Sequence, residues 1–398
     1  MNSNLRVDRV TTIEQLDALA PEWRELEVRA GLRLPFSSAS WACSWWRHFA
    51  ESRLYVHDRL HVRAVRALPD GLLVGVAPMM ITERPSRGPL RLRVLQFFGQ
   101  DPNLTELRTV LCEPLLEGAV YQALARDVAS SPQEWDWVVW TGLKPGSEAE
   151  TAVVEAGPVT FDEMQPNYIL PLPADWDTFR SALPRNIKQS LRKCYNSLQQ
   201  AGHSFQFVAA QTPAEIDRAL TTLFQLHESR AADSSATYHA NAYASPRARQ
   251  FMREVCADLA LRGQARVYEL RIGGATVASR AAFVSGNHLF LYYSGFDPTW
   301  SRFSVMTTLV AEAIKGAILE GRAAVNLSFG RDESKLRWRP IEVPYRSATQ
   351  ISSRPRSRVL RATYNFAGRA LQSRLGLVLA RKLSLRRSFV LTSENYPD

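Results

Sequence analysis

QARVYELRI-GG-ATVASRAAFVS-GN-HLFLYYSGF, residues 264–296, reads as three antiparallel strands. Gly273-Gly274 and Gly286-Asn287 separate runs of alternating apolar residues, and both dipeptides are strong hairpin signals. SVMTTLVAEAIKGAILEG follows, residues 304–321, with helical periodicity and a terminal glycine as its stop. AAVNLSFG (323–330) is then a further strand, and SFGRDESKLRW (328–338) hangs from its end with charges crowded around a tryptophan. The order is strand, turn, strand, turn, strand, helix, strand.

Upstream of this meander, the stretch after Pro184, 213–231 and 245–263 have helical spacing, and SFQFVAAQ (204–211) reads as a strand. The first half shows a similar order. TIEQLDALAPEWRELEVRA (12–30) is a helix with Thr12 as its expected cap. LHVRAVRALPDGLLVGVAPMMIT (60–82) is a hairpin turning at Pro69-Asp70-Gly71. LRLRVLQFFG (90–99) and WDWVVWTGL (135–143) are strands around the helix LLEGAVYQALARDVAS (115–130). EMQPNYILPLPADW (163–176) holds three prolines, expected to interrupt any regular element. The division proposed is 1–165, 166–350 and a basic tail, 351–398.

The chain has 398 residues, 45% hydrophobic and 22% charged. This is an ordinary globular composition for two or three domains. It contains no apolar run of the ~18 residues that a spanning helix needs. Its first residues lack the apolar core of a signal peptide, so the expected location is cytoplasmic. Cys43, Cys112, Cys194 and Cys256 form no CxxC pair, and the seven histidines show no ligand spacing, so no metal is expected. The Walker loop, GxGxxG after a strand and GxSxG elbow are absent from the sequence.

The net charge is +10, and +8 of it lies between Ser353 and Asp398. Such a tail favours anions: RNA, an acidic membrane face or a phosphorylated substrate. Val359, Leu360, Phe366, Ala370, Leu371, Leu375 and Val378 have rough helical spacing between the arginines. This fits a peripheral amphipathic helix on a membrane, or a helix capping the second unit.

LHESR (226–230), GFDPTWSRFS (295–304) and FGRDESKLRW (329–338) resemble the GNAT-superfamily acyltransferases of the CelD/BcsL type, relatives of the FemABX peptidyltransferases. FSSASWACSWWRHF (36–49), VGVAPMMI (74–81) and LQFFGQ (95–100) extend the resemblance through the first half. It implies an α/β (α+β) fold of two GNAT-like units in tandem, each a mostly antiparallel sheet with helices. It also implies acyl transfer, probed at residues that match the family pattern.

In such a site the donor's phosphates meet a helix N-terminus, here the one beginning near Ser304, with Arg302 beside it. A backbone N–H between Tyr292 and Gly295 would hold the oxyanion, and Tyr292 and Tyr293 straddle the two strand faces so that one points inward. Relatives carry a glycine just past this turn; Val305 and Met306 stand here, which hinders approach of phosphate to the backbone. Ser304 also reads as an ordinary side-chain N-cap. Lys335 would neutralise a phosphate or developing charge, and Asp332 or Glu333 would take the acceptor's proton. Trp338 matches the family but reads as packing, and Ser334 stands where relatives often have tyrosine. Arg230 would contact the acceptor, with His227 more a structural histidine. Arg185, Lys188 and Arg192 put charge on one helix face, for an acceptor, RNA or lipid phosphate.

Three readings follow. The first is transfer from acyl-CoA to an amine or hydroxyl of an envelope, polysaccharide or small-molecule acceptor. The second is a FemABX-like transferase drawing on aminoacyl-tRNA. The third is a catalytically degraded scaffold in polysaccharide assembly. The sequence leaves the oligomeric state open.

Overall fold

A computed structural model describes residues 4–86, 88, 91–101, 103–232 and 240–372. The basic tail expected over 351–398 lies outside the described residues from 373 onward.

The first unit contains β1 (Leu5–Val10), α1 (Ile13–Arg29), α2 (Ala39–Phe49), β2 (Ser52–Arg53), β3 (Val56–Leu60), β4 (Val62–Ala67) and β5 (Leu73–Ala77). It continues with β6 (Met79–Arg84), β7 (Leu92–Phe97), β8 (Leu111–Cys112), α3 (Glu117–Ser130), β9 (Trp137–Leu143), α4 (Glu148–Glu155) and β10 (Val159–Phe161). The second contains β11 (Gln165–Pro171), α5 (Trp176–Ala182), α6 (Arg185–Gln200), β12 (Phe205–Ala210), α7 (Pro213–Ala232) and α8 (Pro246–Ala260). Then come β13 (Ala265–Ile272), β14 (Ala275–Ser285), β15 (His288–Phe296), α9 (Val305–Leu319), β16 (Ala324–Phe329), α10 (Glu333–Leu336), β17 (Ile341–Ile351) and α11 (Pro355–Gln372).

The meander forms as its turns require. Gly273 and Gly274 both sit at positive φ, +58° and +83°, and join β13 to β14. That left-handed pair matches the twist of the strands it connects and favours glycine at both positions. Thr12 caps α1, its hydroxyl accepting from the Gln15 N–H at 3.3 Å.

Each unit carries two parallel strands with a helix between them. β7 and β9 enclose α3, and β15 and β16 enclose α9. Both neighbourhoods belong to one 13-stranded sheet, β12-β13-β14-β15-β16-β11-β17-β9-β7-β6-β3-β2 with β10 on β17. β17 joins the units by pairing with β10 and β11 on one edge and with β9 on the other. β1, β4, β5 and β8 form a separate sheet.

The proline-rich stretch is therefore no break: β11 is a central strand. Pro166 of β11 lies opposite Pro344 of β17. Directly opposed antiparallel residues exchange either two hydrogen bonds or none. Facing prolines put both missing donors on one rung, where a non-bonded pair needs neither.

Two cores flank the second unit's sheet. α6 and α9 cover one face, packing on Leu270, Leu289, Leu291 and Val325. The other face is covered by α7 and α8 together with Phe36 and Trp41 of the first unit. α11 packs on the first unit and does not cap the second. Arg361 lies over the Trp137 ring of β9 at 4.9 Å, and the Ser357 hydroxyl donates to Asp136 at 2.9 Å.

Candidate functional site

β15 and β16 run side by side only from His288↔Ala324 to Phe290↔Asn326. Beyond that rung they part, and β16 continues against β11 as far as Asn167↔Phe329. The opening between them is the candidate site.

At the mouth of the opening β15 carries a bulge. Ala282 pairs with Leu291 and Arg280 with Ser294, so Tyr292 and Tyr293 together lie opposite Ala281. A bulge cancels the two-residue alternation. Both tyrosine rings therefore lie on one face, with centroids 4.7 Å apart, and do not straddle the strand as the alternation implies. Both phenols donate to the same loop of the first unit: Tyr292 to the Leu104 carbonyl at 2.5 Å, Tyr293 to that of Asn103 at 2.7 Å. Tyr292 is fully buried among Phe36, Trp41 and Phe283. Its ring belongs to the inter-unit core and is turned away from α9.

The loop that meets these tyrosines is held rigidly. Asp101 accepts from the Leu104 and Thr105 N–H groups at 2.6 and 3.0 Å. The Trp45 indole donates to Asp101 at 2.9 Å and the Trp41 indole to the Thr105 hydroxyl at 3.0 Å. The next residue is Glu106. Its carboxylate accepts from the Ser328 hydroxyl at 2.7 Å and from the Phe329 N–H at 3.3 Å, at the end of β16. Ser328 takes φ +78°, and the Asn326 side chain accepts its N–H at 2.8 Å. The first unit thus delivers a carboxylate to the opening of the second.

Cations surround it. Lys335 turns inward from α10, its ammonium donating to the Phe329 carbonyl and, at 3.1 Å, to that of Gly330. The Arg280 guanidinium donates to the Tyr292 carbonyl at 2.9 Å. Burial raises the Glu106 pKa from its ordinary value, offset in part by Ser328 and Lys335. Burial lowers Lys335, against the pull of Glu106, and brings Arg280 down to about 10, with Arg230 adding to the drop.

Arg230 donates to the Ser294 hydroxyl at 3.4 Å and lies over the Phe296 ring at 5.7 Å. It is a neighbour of both Arg280 and Asp332. His227 is occupied on both nitrogens, at 2.8 Å from the Ser294 carbonyl and 3.3 Å from the Ala242 N–H. Asp332 is the N-cap of α10, accepting from the Ser334 N–H at 2.7 Å. Burial raises its pKa, but the bonds from Ser334 and the charges of Lys335 and Arg230 outweigh this and leave it lowered. Glu333 is exposed, while Trp338 is buried and stacked against Phe179 at 6.5 Å.

On the other face of the sheet α9 begins at Val305, after the 3₁₀ turn Pro298–Phe303. Ser304 is left-handed, at φ +53°, and its side chain makes no capping bond. It is therefore no side-chain N-cap: only its carbonyl serves the helix, accepting from the Thr307 N–H at 2.8 Å. The N–H groups of Val305 and Met306 precede the first intrahelical bond. Arg337 crosses this end, donating to Ser190 of α6 at 2.7 Å and lying 3.5 Å from the Thr307 hydroxyl. Arg302 is exposed over the Phe303 ring at 4.6 Å. Arg185 and Arg192 face solvent, and Lys188 donates to the Ser181 carbonyl at 2.6 Å.

Lys335, Asp332 and Arg230 are therefore brought together, apart from the α6 cations and from Arg302 and Ser304. Glu106, Arg280 and Arg337 went unrecognised in the sequence. LTELRTV carries no motif, and only the fold brings Glu106 to Ser328, 222 residues away. Among the described residues, no group of three His, Cys, Asp or Glu could hold a metal ion, and no helix is long and apolar enough to cross a membrane.

Residues 185–336 match the family model described as an acetyltransferase (GNAT) domain. No curated protein matches the chain. The crystal structure of FemX shares the fold at TM-score 0.57 and 10% identity, over 89% of this chain and 99% of that one. A tandem GNAT protein from the clavulanic acid biosynthesis pathway aligns at TM-score 0.42 and 13% identity, over 88% and 99%. The C-terminal domain of a putative lysylphosphatidylglycerol synthetase from Agrobacterium fabrum aligns at 0.49 and 12%, over 87% and 96%.

Proposed function

We propose, from the match of residues 185–336 to the acetyltransferase (GNAT) domain, that this chain moves an acyl group from acyl-coenzyme A to an amine or hydroxyl acceptor. An envelope, polysaccharide or small-molecule acceptor fits this reading. The observation that carries it is the opening between β15 and β16, with the start of α9 on one face and Glu106, Lys335 and Arg280 on the other. The donor's phosphates would meet the free N–H groups of α9, with Arg337 and Arg302 as counter-charges. The thioester carbonyl would reach into the opening.

The acceptor nitrogen or oxygen attacks that carbonyl, the new bond to carbon forms, and the carbon–sulfur bond breaks. Coenzyme A leaves as the thiolate. Glu106 accepts the acceptor's proton: its raised pKa suits a base at neutral pH better than that of Asp332, which is lowered and engaged as a cap. Arg280 and Lys335 stabilise the negative charge that develops on oxygen.

A second reading rests on Ser304 and Val305. A side chain at a left-handed position, followed by a buried valine, leaves less room for pyrophosphate than glycine does. This favours a donor held elsewhere, and aminoacyl-tRNA is the candidate. Titration calorimetry with coenzyme A and acetyl-coenzyme A separates the two. Binding by the parent, weakened about tenfold in Arg337→Ala, supports the thioester donor. Absence of binding to either ligand rejects it. Ribonuclease-sensitive transfer would then establish the tRNA donor, and no transfer at all a scaffold.

A further inference from the structure

Far from this opening, at the sheet edge formed by β2 and β3, lies a second cationic surface. Leu54 and Tyr55 form the tip of the β2–β3 hairpin and are 64% and 71% exposed. Behind the tip is a cleft of about 870 Å³ lined by Arg53, Arg59, Arg91 and Arg93. Its one lining carboxylate, Glu83, is held from two sides by Arg59 and Arg91, each at 3.3 Å. Arg53 pairs with Glu51 at 2.7 Å, and Arg247 reaches the same carboxylate at 3.2 Å.

α11 adds to this surface. Arg356 donates to the Arg91 carbonyl at 2.5 Å. The Arg93 pKa is lowered by burial first, then by the nearness of Arg354 and Arg356, against the pull of Asp136. Val359, one helical turn beyond Arg356, is 65% exposed. By sequence the basic run continues from α11 to Arg387.

We propose that this edge docks the protein on an anionic bilayer, with phosphate head groups seated among Arg53, Arg91 and Arg356 and with Leu54 and Tyr55 entering the interface. The combination selects the partner. Arginine takes phosphate from a lipid or from RNA equally well. Leu54 and Val359, exposed aliphatic side chains beside those arginines, have no counterpart in a phosphodiester groove, whereas acyl chains accept them. Cations near an anionic leaflet and a small apolar wedge together give reversible, salt-sensitive attachment. The inference stands apart from the transfer reaction and tests independently of it.

The test is co-sedimentation of the full chain with vesicles of phosphatidylcholine alone and with roughly one-third phosphatidylglycerol. The parent should bind the anionic vesicles, release with salt and ignore the neutral ones. Arg53→Gln with Arg91→Gln should weaken binding roughly 25-fold, at about fivefold per arginine. That pair leaves Arg59 on Glu83 and Arg247 on Glu51. Leu54→Ser with Tyr55→Ser, which removes only exposed apolar area, should weaken it about tenfold. An unchanged melting temperature in both variants confirms that the fold is intact. Equal binding to neutral vesicles, or parent-like binding by both variants, overturns the proposal. So does tight binding of a single-stranded RNA by a parent that ignores the vesicles, which would assign the cleft to nucleic acid.

Discussion

Glu106 and Asp332 are carboxylates beside the same ammonium, yet their surroundings move them in opposite directions. Burial is the largest influence on each and raises both. Around Glu106 it prevails; around Asp332 two bonds from Ser334 and two cations reverse it. A base must be unprotonated, so activity should fall as pH drops through the raised pKa of Glu106. Glu106→Gln should lower kcat by about 10² to 10⁴ with little change in donor affinity. The raised pKa also means that the folded state holds this proton more tightly than the unfolded chain does. Stability from Glu106 is thus present at low pH and lost as pH rises through that pKa. The glutamine variant should lack this loss, and urea titrations of both proteins across the pH range measure it; an active variant sinks the assignment. For Asp332 the sign is opposite: its contribution is present at neutral pH and lost as pH falls through its lowered pKa. Asp332→Ala should cost about 1 kcal/mol of unfolding free energy as a lost cap, while Asp332→Asn keeps the cap and most of the activity.

The elements show where sequence suffices. The three-strand meander was legible because its glycine turns and alternating runs are local signals. α1, α3 and α6 to α9 were legible by periodicity, and α1 also by its Thr12 cap, whereas α2, α4 and α10 were not. β11 and β17 were not. Prolines argue against a central strand until both are seen on the same rung, and that register is set by partners about 180 residues apart. The bulge at Tyr292–Tyr293 was equally hidden, since an alternating pattern carries no mark of one extra residue. Two substitutions test this level. A Cβ at Gly295 would lie 2.3 Å from the His227 nitrogen, in the backbone of α7. Backbone cannot step aside as a side chain can, so Gly295→Ala should cost roughly 3 kcal/mol or more, read by chemical denaturation. Ser304→Gly works the other way. It relieves a left-handed serine that costs about 1–2 kcal/mol, less the added flexibility of the unfolded chain. A gain of about 0.5–1 kcal/mol is expected, with tighter coenzyme A binding if the donor sits at α9. A destabilised variant would show that the contact of the Ser304 side chain with Cys194 outweighs the strain.

At the scale of the molecule the two units are unequal. The helix between the parallel strands of the first unit begins among acids: Glu113 and Glu117 stand at its start, and Glu148 accepts the Gly118 N–H at 3.2 Å. Negative charge at a helix N-terminus repels phosphate. The first unit's loop instead supplies Glu106 to its neighbour, and Trp41 and Phe36 complete the neighbour's core. This explains why Glu106 was unreadable: Lys335, Asp332 and Arg230 lie in recognisable segments of the second unit, whereas Glu106 reaches them across an interface. β17 reinforces the dependence, since it is hydrogen-bonded on both edges to different units. A sheet continuous across both units and a shared aromatic core leave no surface along which one could melt first. Calorimetry should therefore show a single transition whose van't Hoff and calorimetric enthalpies agree, with tryptophan fluorescence and far-ultraviolet dichroism coincident. A fragment restricted to residues 166–350 would expose Phe283, Phe290 and Tyr292 along with one edge of β17, and should be insoluble or molten. Two resolved transitions, or a soluble and cooperatively folded fragment, would mean that the second unit holds its opening without help. Glu106 would then be an addition to a self-sufficient site.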